Sequence, residues 1–286
     1  MKKIILSSDS TTDLGQELIT KHNIHIIPLG VTLGTDVYRD GVDITPDEIY
    51  AYHKENGVLP KTTAVNVGEA TDYFAELKKE AESVIHFTIG SDMSSTYNNC
   101  IIAASDFENV YIVDTKNLST GGGLLVMAAA DMIEQGMEAE EIVEKLNTLR
   151  PCVDASFVID SLEYLHKGGR CSALSMLGAN LLKLKPCIEV KDGKMGVGKK
   201  YRGKYGEVLK EYVAERLEDK GNIVLDRVFV THAGCDMDIV NDVAALVKET
   251  LPFKEVYITR ASCTISSHCG ANTLGVIFIK KNPIEQ

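Results

Sequence analysis

Long apolar runs are missing from this chain. No stretch approaches the ~20 residues that a membrane-spanning helix requires. Paired cysteines are missing as well. The seven cysteines, an odd number, are scattered without a Cys-x-x-Cys, which argues against a disulfide framework and a zinc ribbon. Excess positive charge is missing: the net charge of −11 opposes nucleic acid and anionic membranes as partners. There is no Gly-x-Gly-x-x-Gly spacing, no Gly-Lys-Ser/Thr phosphate loop and no Gly-x-Ser-x-Gly elbow, so the chain carries no nucleotide site or nucleophile elbow of its own. Internal repeats and low-complexity tracts are also absent.

What remains is an ordinary globular composition, with 44% hydrophobic and 25% charged residues over 286 positions, enough for two cores. Met1-Lys2-Lys3-Ile4-Ile5-Leu6-Ser7-Ser8-Asp9 has the cationic start of a signal peptide. Its apolar part is too short and ends in a carboxylate, so it reads as a first strand, and a cytoplasmic location is expected. Charge is uneven. Residues 191–210 hold seven cations against Asp192 and Glu207, a local +5 that leaves −16 for the rest. A solvated hairpin and helix face would explain this, as would a docking or phosphate-facing patch.

The first half alternates short β-branched runs (Ile4–Leu6, Ile24–Ile27, Val84–Thr88, Val110–Val113) with helical stretches, the pattern of a parallel sheet covered on both faces. Thr45-Pro46-Asp47-Glu48 and Asn66-Val67-Gly68-Glu69 mark helix starts. Gly121-Gly122-Gly123 opens a helix that stops near Gly136, with another over 138–149. Arg150-Pro151 is the expected boundary between a 1–150 domain and a 151–286 domain. Beyond it the pattern predicts an α+β arrangement with a mixed sheet: strands at 156–160, 228–231, 256–259 and 275–279, a hairpin around Asp192-Gly193, and helices near 204–218 and 238–249.

Several segments carry candidate chemistry. Asp9-Ser10-Thr11-Thr12-Asp13 follows the first strand, where open parallel sheets bind ligands; it is also a natural helix cap, through Ser10, Thr11 or Thr12. Ser91-Asp92-Met93-Ser94-Ser95-Thr96 follows the Val84–Thr88 strand in the same way, and Pro60-Lys61-Thr62-Thr63 reads as a third hydroxyl-bearing turn. Such hydroxyls, with free helical N–H groups, suit an anion. Ser262–Gly270, with His268, lies between two late strands; a lone histidine is either structural or a donor to an anion. His22, His25 and the His268-Cys269 pair do not make a metal site. Close helix packing explains the 121–123 glycines better than a nucleotide loop does. Leu165-His166-Lys167-Gly168-Gly169-Arg170 then hangs an obligate cation on a Gly-Gly turn, just ahead of an apolar helix expected at 173–182. An anion site beside an apolar cover suggests an amphipathic acid as ligand.

Together these segments resemble the DegV family, whose characterised bacterial members bind fatty acids. The matching motifs run in order through nearly the whole chain: Ser8-Asp9-Ser10-Thr11-Thr12-Asp13-Leu14, Pro60-Lys61-Thr62-Thr63, Met93-Ser94-Ser95-Thr96-Tyr97, Val113-Asp114-Thr115, Ser161-Leu162-Glu163-Tyr164-Leu165 with Gly168-Gly169-Arg170, Lys185-Pro186, Thr231-His232-Ala233-Gly234 and Ser267-His268-Cys269-Gly270. The resemblance implies two α/β domains sandwiching one acyl chain, no cofactor, and a long-chain fatty acid such as palmitate presented to an ATP-dependent kinase subunit for conversion to acyl phosphate. It assigns the carboxylate to Thr62, Ser94 and His268, with Ser10 and Ser95 in support, and places Arg170 and Arg202 where phosphoryl transfer or the partner occurs. Three departures stand out: Thr62-Thr63-Ala64-Val65 replaces Thr-Ser-Gln-Pro, Ser94-Ser95-Thr96 replaces Ser-Gly-Thr, and Cys269 occupies a position usually held by threonine, valine or another small residue. The competing expectations are a stand-alone phosphotransferase or acyl hydrolase using Ser94 or His268, and a regulatory module docking through residues 191–210.

Overall fold

The structure, a computed structural model, describes residues 2–171 and 184–284. The apolar helix expected at 173–182 lies outside the described residues. Four strands, β1 (Lys2–Asp9), β2 (His25–Ile27), β6 (Ala81–Thr88) and β7 (Val110–Asp114), form an all-parallel sheet in the order β2-β1-β6-β7. Val84, Ile85 and Phe87 are all buried, because helices cover both faces and the run has no need to alternate. Helices α3 (Val67–Glu80) and α4 (Thr96–Ala104) lie on one face. On the other lies α5 (Thr120–Glu134), with α6 (Ala139–Leu149) beside it. A short helix α1 (Gln16–Lys21) links β1 to β2.

The second sheet has six strands in the order β10-β9-β8-β13-β11-β12, built from β8 (Val153–Ile159), β9 (Lys185–Lys191), β10 (Lys194–Tyr201), β11 (Ile223–Ala233), β12 (Glu255–Arg260) and β13 (Thr273–Lys280). Only β11 and β12 pair in parallel, so this sheet is mixed. Helices α8 (Tyr205–Arg216) and α9 (Met237–Thr250) bury Tyr212, Leu209, Val240 and Val247 against its outer face. The inner face packs on α5, which is buried from Thr120 to Ala130 because sheets press on it from both sides. One apolar core therefore joins Leu6, Ile85 and Phe87 of the first sheet to Phe157, Phe229 and Ile277 of the second. The triple glycine serves this packing: a Cβ at Gly123 would lie 2.8 Å from the Thr12 carbonyl oxygen.

Three local expectations change. Lys61–Thr63 is not a turn but strand β5 of a small antiparallel sheet with β3 (Gly30–Leu33) and β4 (Asp36–Arg39), and Thr62 pairs with Val31. A three-residue strand at a sheet edge shows no apolar alternation, so its sequence looks like a loop. Cys263–Cys269 is helix α10, whose capping residue Ser262 accepts from the Ile265 amide. The turn after β1 is a 3-10 turn, Ser10–Thr12, capped by the Asp9 carboxylate rather than by a hydroxyl. The described residues also include helices α2 (Pro46–Asn56) and α7 (Glu163–Gly168). Arg150-Pro151 sits in a 3-10 turn leading directly into β8. No helix among the described residues is long and apolar enough to cross a membrane.

Candidate functional site

The site is organised by α10. The amides of its capping residue and first two residues donate to carboxylates from the other half of the chain: Ser262 to Asp13 Oδ1 at 2.8 Å, Cys263 to Asp40 Oδ1 at 2.8 Å and Thr264 to Asp40 Oδ2 at 3.0 Å. Both carboxylates are buried. A helix N-terminus offers unsatisfied N–H groups and partial positive charge, which is what a buried carboxylate needs. Burial still pushes Asp13 up to about 7, against the pull of Ser119 and Ser262. Asp9 is pushed to about 6 by the same desolvation; it accepts from Thr11 and, at 2.7 Å, from the Ile89 amide, tying the ends of β1 and β6 together.

Anchored at its start, α10 delivers His268 from its last turn to Thr62 on β5. His268 Nε2 and Thr62 Oγ1 are 2.8 Å apart. His268 Nδ1 has no partner among the described residues and faces Gly168, where a Cβ would come within 2.7 Å of it. Burial, then the charge of Arg170, depresses the imidazole to about 4, so it is neutral at physiological pH. A proton on Nδ1 would be buried with no acceptor, so it belongs on Nε2, which faces Thr62. His268 then donates to Thr62, and the threonine O–H is left free to donate elsewhere.

That free hydroxyl borders a cavity of about 240 Å³. Its polar rim also includes Ser94, Ser95, His268 and Arg170; its apolar walls come from Leu29, Met93, Leu118, Leu165, Met195 and Ile265. Leu118, Ile265 and Cys269 are shared with a narrower extension of about 20 Å³ that runs between Phe157, Val190 and Ile277. The arrangement is a hydroxyl- and imidazole-lined head leading into an apolar cleft between the two sheets. Ser94 accepts from the Thr96 amide at 3.2 Å and shares a hydrogen bond with Thr96 Oγ1 at 2.9 Å. Among the described residues no hydrogen bond joins Ser94 to His268.

Thr62, Ser94, Ser95, His268 and Arg170 thus meet at one cavity, whereas two of the expected residues do not line it. The Ser10 hydroxyl is consumed beneath the site, donating to Asp40 at 2.9 Å and accepting from the Leu29 amide at 3.1 Å. Arg202 is exposed just beyond β10. Arg170 is exposed at the rim and donates to the Gly168 carbonyl at 2.8 Å, after the left-handed turn at Gly169 (φ 69°). Sequence reasoning missed the roles of Asp13 and Asp40, whose α10 partners lie 249 and 223–224 residues away, and no local pattern marks them. All seven cysteines are buried and none is in a disulfide, and no cluster arranged for a metal ion occurs among the described residues.

A parallel and a mixed sheet closing on one buried helix, with a hydroxyl–imidazole head at the mouth of an apolar cleft, define an α/β protein with a polar-headed internal cleft. A family model described as "Uncharacterised protein, DegV family" matches residues 3–281, and the chain belongs to the DegV family. It is 32% identical over 284 residues to a DegV domain-containing protein of Staphylococcus aureus, covering 98% of this chain and 100% of that one. Among solved structures, the DegV family protein from Thermus thermophilus, described for its fatty acid binding, superposes with a TM-score of 0.89 at 29% identity, over 97% of this chain and 99% of that one. A stearic acid-binding protein from Eubacterium ventriosum gives 0.84 at 30% identity, over 98% and 99%.

Proposed function

We propose that this protein binds one long-chain fatty acid, with the carboxylate at Thr62, Ser94 and His268 and the tail in the apolar cleft. The observation that carries the reading is the Thr62–His268 pair, 2.8 Å apart at the polar end of an otherwise apolar cavity. A buried carboxylate is very costly without donors. The Thr62 hydroxyl, the Ser94 hydroxyl and the Ser95 region supply neutral ones, and Arg170 at the rim supplies charge without entering the apolar part. A palmitate tail of roughly 14 methylenes contributes about 0.8 kcal/mol each when buried, a gross ~11 kcal/mol. Association and ordering take back much of it, so binding is tight yet exchangeable, as a carrier requires. The described fatty acid and stearic acid binding of the Thermus and Eubacterium proteins supports this reading.

The finer reading is that the chain acts in the cytoplasm as a non-enzymatic carrier, presenting its acid to an ATP-dependent kinase that makes acyl phosphate for phospholipid synthesis, with Arg170 and Arg202 facing the partner. The two-domain division at residues 150/151, with the ligand between the halves, belongs to the same reading. Ser94 bonds Thr96 rather than His268, which favours this reading over a stand-alone hydrolase. To test the head group, delipidated protein is titrated with palmitate and with hexadecanol. Palmitate binding at least about tenfold tighter supports the assignment; equal affinity overturns it. To test the carrier role, acyl phosphate is assayed with a cognate kinase and ATP. Formation only when chain, acid and kinase are all present supports it, and turnover by the chain alone overturns it.

A further inference from the structure

A second cavity, of about 150 Å³, opens on the far side of the apolar extension. Its polar lining comes from three segments: Lys116 and Asn117 from the turn after β7, Asn147 and Arg150 from the end of α6, and Lys191 and Asp192 from the hairpin between β9 and β10. In a chain of net charge −11, this cavity gathers three cations against one carboxylate. Asp192 is already engaged, 3.2 Å from Lys116 Nζ in a pair that bridges the hairpin to the turn after β7. Three other carboxylates stand nearby: Asp114, which accepts from the Lys116 amide at 2.9 Å, with Asp92 and Glu189. Asp92 lies behind the hairpin turn at Gly193, and Glu189, 3.6 Å from Lys191, also pairs with Arg216 at 3.1 Å.

We propose that this cavity is a binding site for a phosphate-class dianion, either free phosphate or a small phosphate monoester. The charge of the lining, +2, matches a dianion. The volume is that of about five waters, enough for a phosphoryl group with part of its hydration shell. Arg150 spends Nη1 on the Asp114 carbonyl at 3.0 Å, which fixes the guanidinium while leaving other N–H groups available for a planar two-point contact with phosphate oxygens. Lys116 and Lys191 supply point charges from two different segments. An anion here would tie the two halves of the fold together, directly behind Val190, which lines both this cavity and the apolar extension. The site is independent of the fatty acid reading and stands or falls separately from it.

The test is equilibrium dialysis of the intact protein with labelled inorganic phosphate, at ionic strength held constant with chloride. The expected result is saturable binding of one phosphate per chain with Kd at or below ~1 mM. Arg150→Gln with Lys191→Gln should weaken it at least about tenfold, and Lys194→Gln, on the same hairpin but outside the cavity, should change it less than about threefold. Thermal melting of each variant confirms folding. Competition by phenyl phosphate separates the two sources: stronger competition than by inorganic phosphate assigns the site to a monoester, weaker competition to the free ion. Absence of saturable binding up to ~10 mM, or equal weakening in the Lys194 variant, overturns the proposal.

Discussion

Gly168→Ala isolates the geometry of the head group from the stability of the fold. Gly168 ends α7 and its φ is not positive, so an alanine backbone fits. In an exposed helix interior alanine is favoured over glycine by up to about 1 kcal/mol, and by less at the last position. The added Cβ, however, would sit 2.7 Å from His268 Nδ1 and 3.5 Å from Cε1. Ordinary contact begins near 3.4 Å, so the imidazole must retreat by about 0.7 Å. That retreat drives Nε2 toward Thr62 Oγ1, already 2.8 Å away, so the ring must turn out of line and the hydrogen bond is lost. Its loss costs about 0.5–1.5 kcal/mol and frees the threonine rotor, lowering affinity for palmitate roughly three- to tenfold. Calorimetric titration with palmitate measures this, alongside a melting curve. The expected pattern is weaker binding with Tm unchanged or slightly raised. Palmitate affinity within twofold of wild type would refute the tautomer and contact reasoning together.

Other outcomes follow from the same contacts. Thr62→Val keeps the shape but leaves buried His268 Nε2 unpartnered, costing about 1–3 kcal/mol and reducing palmitate affinity by about ten- to hundredfold in the same titration. Asp40→Ala strips the Cys263 and Thr264 amides of their shared acceptor. It is expected to destabilise the fold by about 3 kcal/mol in urea unfolding, and Asp40→Asn, which keeps one acceptor oxygen, by clearly less. The pH dependence of His268 has a definite sign. Its folded value of about 4 lies below the ordinary 6.5, so the unfolded chain binds the proton more readily. The stability it contributes is complete above pH 6.5 and drains away as pH falls toward 4, by at most about 3 kcal/mol. Arg170→Gln removes the neighbouring charge and should raise the imidazole value, read by histidine NMR titration; an unchanged value would contradict the electrostatic assignment.

The parallel sheet was legible because β1, β6 and β7 are apolar runs bounded by caps, and the Thr45 and Asn66 capping boxes occur as the sequence indicates. The mixed sheet and its Asp192-Gly193 hairpin were legible for a similar reason. Thr62, Ser94 and His268 were visible as hydroxyls and an imidazole in separate segments, but only the family resemblance, and no local pattern, brought them to one carboxylate. Their meeting depends on a three-residue edge strand with no periodicity and a seven-residue helix of small polar residues. The hidden layer is electrostatic. Asp13 and Asp40 look like loop carboxylates, and only the folded chain aims the first amides of α10 at them. Ser10 erred the other way: its position after β1 suggested a ligand contact, while its hydroxyl serves Asp40.

Whether a fatty acid occupies the cleft is answered by denaturing the purified protein and identifying the organic extract by mass spectrometry. The expected result is a single long-chain fatty acid approaching one per chain, replaced by palmitate when palmitate is supplied in excess. An extract without fatty acid, from protein that also takes up no added palmitate, would contradict the proposed function.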